Sequence, residues 1–375
     1  MRIALDLTGL PRVGGARSSA LLWSEKVARA GSDHEFLVFA SEQLTAFEGM
    51  DNVRLVARIL PNRGLVRAWA QACIPGIVGR HGIEVYHAMK NIGLLGIRCP
   101  TVITINDLTH VTLAHLDPPI DRFFWAKVQP VLLRRASAII TISNATKDMM
   151  VRHYGLPDQR VAVIHPPMNE LYGRTRPREE REALLRRYGL AGGYFLYVGS
   201  LGVHKNVATA LDAHVPVWER HGIPLVLVTG AEHTRVDTGL TQDLCAISGD
   251  GRVRHLGFVP EDDMPLLYQG ATALVNPSLS EGFGLVAIEA MACGTPVIAS
   301  GIPSLCEVVQ SAGLFVDDPR SAAGFTEAME RLVLDVSLRD ELSLSAADRA
   351  AHFAQMDTAE QTMSVYKRVL ASSAP

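Results

Sequence analysis

The chain has 375 residues, of which 48% are hydrophobic and 20% charged, with a formal net charge of −3. That length exceeds what one hydrophobic core usually supports, so two domains of about 150 to 200 residues each are expected. The composition excludes a disordered or fibrous chain and gives no reason to expect nucleic acid as a partner. Residues 1–172 carry 19 Lys+Arg against 14 Asp+Glu and the remainder 17 against 25, giving +5 and −8. A basic front half suits an anionic acceptor or a membrane surface, against the plainer reading of a solvated surface.

The chain enters a strand pattern at once, RIALDL (2–7), without a basic, cleavable apolar leader, and no apolar run is long enough to span a bilayer. A cytoplasmic protein, peripheral to a membrane at most, is the expectation. Short apolar, β-branched runs then recur between helical patterns at 35–40, 53–57, 83–88, 101–107, 137–143 and 160–165. Continuous apolar strands separated by helices predict a parallel sheet covered on both faces. The scheme repeats at 194–199, 224–230, 253–258, 271–277, 295–300 and 313–317, predicting a second α/β domain. Between the two, 174–190 reads as a linker with an exposed charged helix beginning after Pro177, and 358–371 as a closing helix opened by a Thr358-x-x-Gln361 capping box. The expected domains are 1–172 and 173–357, with the closing helix packed back on the first. Cys73, Cys99, Cys245, Cys293 and Cys306 are odd in number and lack a CxxC pair, so buried small hydrophobes are expected rather than disulfides or a metal site.

In doubly wound sheets the ligand sits beyond the carboxyl ends of the strands. After the strand at 271–277 comes EGFGLVAIE, Glu281 to Glu289. Gly282 and Gly284 permit close backbone approach, and the helix starting near Leu285 offers unpaired amides to an oxygen-rich or anionic group. Two carboxylates eight residues apart on one helix would lie roughly 12 Å apart along the axis and about 80° apart in direction. They therefore do not act as an acid/base pair at one bond. Gripping two ends of an extended ligand fits better, with Glu289 as the holder of a ribose diol; a surface glutamate beside a helix-terminal one is the plainer alternative. After the strand at 194–199, YVGSLGVHKN (197–206) brings two glycines and then Lys205 and Asn206 to a helix start. A lysine there suits a diphosphate, although the phosphate-loop pattern is absent and an exposed lysine is the competing reading.

Taken together, YVGSLGVHKN, HLGFVPEDDMPLLYQGA (255–271) and VNPSLSEGFGLVAIEAMACGTPVIAS (275–300) resemble, in order and spacing, the family 4 retaining glycosyltransferases of the GT-B fold. The resemblance implies two Rossmann-like domains facing across a cleft, the second binding a nucleotide diphosphate sugar and the first an acceptor. It implies that Glu281 binds hydroxyls of the donor sugar, that Phe283 and Gly284 offer amides to it, and that Leu285 and Val286 lie against the pyrophosphate. Glu289 would hold the ribose, Lys205 would neutralise the leaving diphosphate, and Gly257 and Phe258 would frame the base. In the front half, GLPRVGGARSSALLW (9–23) resembles the family's glycine-rich loop, with Gly14 and Gly15 at the matching positions.

Two departures stand out. Where the family often has His-Asp-Leu after the fifth strand, this chain has Asn106-Asp107-Leu108; Asn106 can bond a hydroxyl but carries no charge. Ser200 stands where many members have an arginine, leaving Lys205, a helix N-terminus and Arg17 to meet the diphosphate. Arg17, His87, Asp107 and His110 are the acceptor-side candidates, with a satisfied structural histidine the favoured competing reading of both His87 and His110. The loop 108–122, with His115 and Asp117, either shapes the acceptor pocket or merely starts a helix at Pro118-Pro119. Likewise 62–80 is either a membrane-facing amphipathic helix or a core helix with exposed arginines.

The expected activity is retaining transfer of a hexose-type sugar from the nucleotide diphosphate sugar to a hydroxyl-bearing acceptor. Glycans, lipid-linked sugars and natural products remain open as acceptors. No metal and no cofactor are expected. The rivals are another GT-B enzyme, such as a nucleotide-sugar epimerase or inverting transferase, and a nucleotide-sugar-binding protein without transfer.

Overall fold

The computed structural model describes residues 1–11, 14–116, 118–174, 176–230 and 251–373; Asp117 and Cys245, singled out above, lie outside them. The chain divides into two compact units, Met1–Pro167 with Met356–Pro375, and Met168–Gln355.

The first unit is built on seven parallel strands: β1 (Arg2–Asp6), β2 (Glu35–Ala40), β3 (Val53–Ala57), β4 (Val85–Ala88), β5 (Thr101–Ile105), β6 (Ala138–Thr141) and β7 (Val161–Val163). Their order is β3-β2-β1-β4-β5-β6-β7, so the winding reverses between β1 and β4. Ile3, Ala4, Leu5, Val85, Tyr86, Val102 and Ile103 are buried, as expected of strands covered on both faces. The helix Arg63–Arg80 is capped by Asn62, whose side chain accepts from the Leu65 amide. It turns Val66, Ala70, Ile74 and Val78 into the core. The stripe Val66, Ala70, Ile74 and Val78 is therefore a core face, while Leu65 stays exposed.

The helix Thr358–Ala371 completes this unit by packing on Gly15–Ala30. Trp23 Nε1 donates to Thr362 Oγ1 at 2.9 Å. Its cap differs from the expected box: Asp357, one residue earlier, is the N-cap and accepts from the Glu360 amide at 2.8 Å. A carboxylate satisfies the first-turn amides and suits the positive helix end.

The second unit holds β8 (Tyr194–Val198), β9 (Leu225–Val228), β10 (Val253–Gly257), β11 (Ala271–Asn276), β12 (Val297–Ser300) and β13 (Gly313–Val316), all parallel. The order β10-β9-β8-β11-β12-β13 repeats the first sheet's winding, and its reversal falls between β8 and β11. The charged helix, Arg178–Arg187, lies inside this unit and is not a linker. It buries Leu184 and Leu185, and Arg187 and Tyr188 both donate to Asp263, the tyrosine at 2.7 Å. Cys73, Cys99, Cys293 and Cys306 are free thiols. They are half-buried rather than fully buried, which corrects the expectation.

Candidate active site

Because the winding reverses between β8 and β11, the segments leaving these strands lie beside each other at the carboxyl edge of the second sheet. They are the two glycine-bearing motifs. After β8 the backbone passes Gly199 and Ser200, whose carbonyl accepts from Tyr197 OH at 2.6 Å. It then makes a short 3-10 turn, Val203–Lys205, and enters the helix Val207–His221 through Asn206. Asn206 holds left-handed backbone, φ 54° and ψ 38°, which asparagine tolerates better than other non-glycine residues.

Asn206 also laces the site. Its amide nitrogen donates to Pro277 O at 2.9 Å, in the segment after β11, and to Pro319 O at 2.6 Å, in the segment after β13. Its side-chain oxygen accepts from Thr209 Oγ1 at 2.9 Å, and a backbone bond from Leu279 N to His204 O, 2.8 Å, joins the same two loops. In that frame Lys205 Nζ and Glu281 Oε1 meet at 2.6 Å. Ser278 Oγ donates to the same carboxylate oxygen at 2.8 Å. Both ionic side chains are largely covered, 21% exposed for Lys205 and 12% for Glu281, so water screens the pair less than a surface bridge.

Gly284 sits before the helix Leu285–Ala292 with φ 98°. A Cβ there would come within 2.6 Å of Leu305 Cδ2, so only glycine fits. No side chain caps this helix, and the amides of Leu285 and Val286 stand at its positive end. The Phe283 ring is buried and meets Phe353 edge-on, centroids 5.6 Å apart.

Glu289 lies on the same helix but has its own environment. It is half-buried, and Tyr268 OH, from the helix Met264–Gly270, donates to Oε2 at 2.9 Å. Burial pushes the carboxyl up to about 7; the tyrosine bond pulls it down and the charge of Glu261 adds to the rise. The two glutamates thus have different partners, Lys205 and Ser278 for one and Tyr268 for the other. Gly257 closes β10 with φ 66°, and the ring of Phe258 is 61% exposed, a flat apolar face beside the strand end.

In the first unit, Gly14 (φ 105°) precedes the helix that begins at Gly15. Arg17 Nε donates to Glu42 Oε1 at 2.9 Å, so that cation is already paired. The Asn106 amide donates to Asn91 Oδ1 at 2.7 Å. Asp107 accepts from the Thr109 amide at 3.0 Å, and its carbonyl from Asn91 Nδ2 at 3.2 Å. His110 is buried, stacked on Trp125 with centroids 4.0 Å apart, and bonded through Nε2 to Tyr154 OH at 3.0 Å.

His87 is corrected outright as an acceptor ligand. It is fully buried on β4 with both ring nitrogens bonded, Nδ1 to Tyr366 OH at 2.5 Å and Nε2 to Thr104 Oγ1 at 2.7 Å. Desolvation holds its pKa down to about 3. It joins β4 and β5 to the closing helix.

Sequence reasoning missed a polar cluster at the β1–β4 reversal. Asp6, fully buried, accepts from Tyr86 OH at 2.5 Å and from Thr8 Oγ1 at 2.6 Å. Lys90 Nζ lies 3.6 Å from Asp6 and donates to Thr8 Oγ1 at 2.7 Å and to the Thr8 carbonyl. Burial lowers the Lys90 pKa, with Asp6 opposing. The available signal was position: Asp6 and Lys90 stand at or just after strand ends. Among the described residues no three His, Cys, Asp or Glu side chains converge as metal ligands, and no helix is long and apolar enough to cross a membrane.

Residues 192–335 match the family model described as Glycosyl transferases group 1, and residues 13–170 the one described as Glycosyltransferase Family 4. The chain is similar to O-antigen chain mannosyltransferase B of Escherichia coli, 32% identical over 271 residues that make up 71% of this chain and 70% of the relative. Among solved structures it is similar to sucrose-phosphate synthase from Thermosynechococcus elongatus, with a TM-score of 0.80 and 21% identity over 99% of this chain and 100% of that one. It is also similar to HepE of Anabaena in complex with UDP-glucose, with a TM-score of 0.77 and 19% identity over 98% and 100% of the two chains. At such identities these two structures bear on the fold alone.

Proposed function

Because the chain belongs to the group 1, family 4 glycosyltransferases and has their GT-B fold, we propose that it is a metal-independent, retaining transferase acting on a nucleotide diphosphate sugar. The observation that carries this reading is the Lys205–Glu281 contact, 2.6 Å, beside the uncapped helix that starts at Leu285. An ammonium and two free amides provide for a diphosphate, and a carboxylate next to them provides for sugar hydroxyls.

In this reading the bond between the sugar C1 and the diphosphate oxygen breaks as an acceptor hydroxyl oxygen bonds to C1 on the same face. The hydroxyl proton passes to the departing phosphate oxygen. Lys205 and the Leu285 and Val286 amides stabilise the charge that grows on the diphosphate, the type of preorganised electrostatics that contributes most to such steps. Glu281 shifts part of its hydrogen bonding from Lys205 to the sugar, while Ser278 keeps the carboxylate in place. Glu289 accepts from the ribose diol, and Phe258 offers its face to the base. Asn106 and Asp107 bond acceptor or sugar hydroxyls.

Mannose is the first donor sugar to test, since the relative matched over most of the chain is named a mannosyltransferase. Polysaccharide assembly is the setting the O-antigen relative suggests. Lys205→Ala and Glu281→Ala should each lower kcat/KM by about two to three orders of magnitude with unchanged circular dichroism. Normal turnover in either variant refutes the assignment. Product anomeric configuration read by NMR decides retention, and activity measured with and without a chelator decides metal independence.

A further inference from the structure

The first unit carries an apolar and basic face that the donor chemistry does not use. The helical run 119–135 comprises Pro119–Phe123, a π turn Phe124–Val128, and Gln129–Arg135. Neither of its first two parts contains a buried residue; Phe124, Trp125 and Val128 touch the core side, the fully buried positions begin at Gln129, Leu132 and Leu133, and Ile120 and Phe123 are left facing outward. Ile120 is 77% and Phe123 63% exposed. Three residues apart, they lie side by side on one helix face.

Arg122, Lys127, Arg134 and Arg135 flank that pair, all exposed. The only acid within 118–135 is Asp121, and over 118–160 there are seven Lys+Arg against three Asp+Glu. Beside the run lies a cavity of about 290 Å³ lined by Trp125, Ala126, Pro130, Arg134, His153 and Tyr154. It joins an arginine and a histidine to aromatic walls, a combination that takes a phosphate group above an apolar layer. Trp125 also stacks on His110, which ties this face to the segment following β5.

We infer that the run 119–135 docks on the surface of an anionic lipid bilayer. Ile120 and Phe123 enter the boundary between head groups and acyl chains, and Arg122, Lys127 and Arg134 stay at the level of the phosphates. Charge complementarity selects this occupant: two large apolar side chains ringed by cations, with a single acid among them, match a layer that is negative outside and apolar beneath. The interface between two copies of this face would bring like charges together. The inference goes beyond the donor reading, because it stands on this face alone.

The test is co-sedimentation of the full chain with phosphatidylcholine vesicles, with and without phosphatidylglycerol. Binding is expected only with the anionic lipid and is expected to weaken with salt. Ile120→Ser with Phe123→Ser, and separately Lys127→Glu with Arg134→Glu, should each reduce binding by on the order of tenfold or more. Arg186→Glu, exposed on the second unit, should leave it unchanged. Far-ultraviolet circular dichroism shows whether each variant is folded. The inference is overturned if the wild-type chain ignores anionic vesicles, or if the folded variants bind them as well as it does. A wild-type dimer in solution that Ile120→Ser with Phe123→Ser disperses assigns the face to a second copy and also overturns it. Vesicle binding is read without sugar transfer, so failure here leaves the donor reading standing.

Discussion

Glu289→Gln separates the stability of the second unit from its ligand binding. The wild-type carboxyl is pushed from the usual 4.5 up to about 7, chiefly by burial. Since the folded-state value is the higher one, the protonated form favours folding. That contribution is complete below about pH 4.5 and is lost as the pH rises through about 7. The full rise corresponds to roughly 3 kcal/mol, and roughly 2 kcal/mol is a fair discount for a side chain that is only half-buried. Glutamine keeps the shape and can still accept from Tyr268, but it never ionises. The variant should therefore melt like the wild type near pH 4.5 and roughly 4 to 8 °C higher near pH 8. Differential scanning calorimetry across that range reads the effect. Donor binding by calorimetry should move the other way: the wild type tightens as Glu289 ionises, and the variant stays weak throughout. Parallel melting curves for the two proteins would show that burial does not hold this proton, and the reasoning would fail.

Two further substitutions probe the supports of the site and core. Asn206→Gly keeps the left-handed backbone and removes both amide bonds, so it should cost about 1 to 2 kcal/mol in urea unfolding and lower kcat/KM through the loosened Lys205–Glu281 contact. Asn206→Ala should cost about 1 kcal/mol more from backbone strain, and equal stability of the two variants would refute that difference. Tyr366→Phe leaves His87 Nδ1 unbonded inside the first unit and should cost about 1 to 3 kcal/mol. In the wild type the His87 ring signal should not titrate in NMR between about pH 5 and 8; a midpoint inside that window would contradict its burial.

Both sheets were legible because their strands are continuous apolar runs, and every run noted from 2–7 to 313–317 contains an observed strand. The winding order needed the structure, since periodicity does not say which strand lies beside which. Local chemistry misled where a neighbour competes: Thr358 opens a plausible capping box, yet Asp357 takes the cap. The helix Arg178–Arg187 reads as exposed because eight of its ten residues are charged or small, REEREALLRR, but Leu184 and Leu185 suffice to dock it. Of the two readings of His87, ligand or structural histidine, its place in the apolar run IEVYHA favours the second. A histidine inside such a run is better read as a core bond-maker. The Lys205–Glu281 contact spans 76 positions, a pairing only the sheet order brings about, and Ser278 and Tyr268 become visible as partners only once the carboxylates have places.

The first unit is not continuous in the chain: Met1–Pro167 is completed by Met356–Pro375, and the Trp23–Thr362 bond joins residues 339 positions apart. During synthesis the whole second unit emerges before the segment that covers Trp23 and His87. The first unit must therefore wait for Met356–Pro375 to emerge with part of its core uncovered, an interval in which a nascent chain is open to chaperone capture or misassembly.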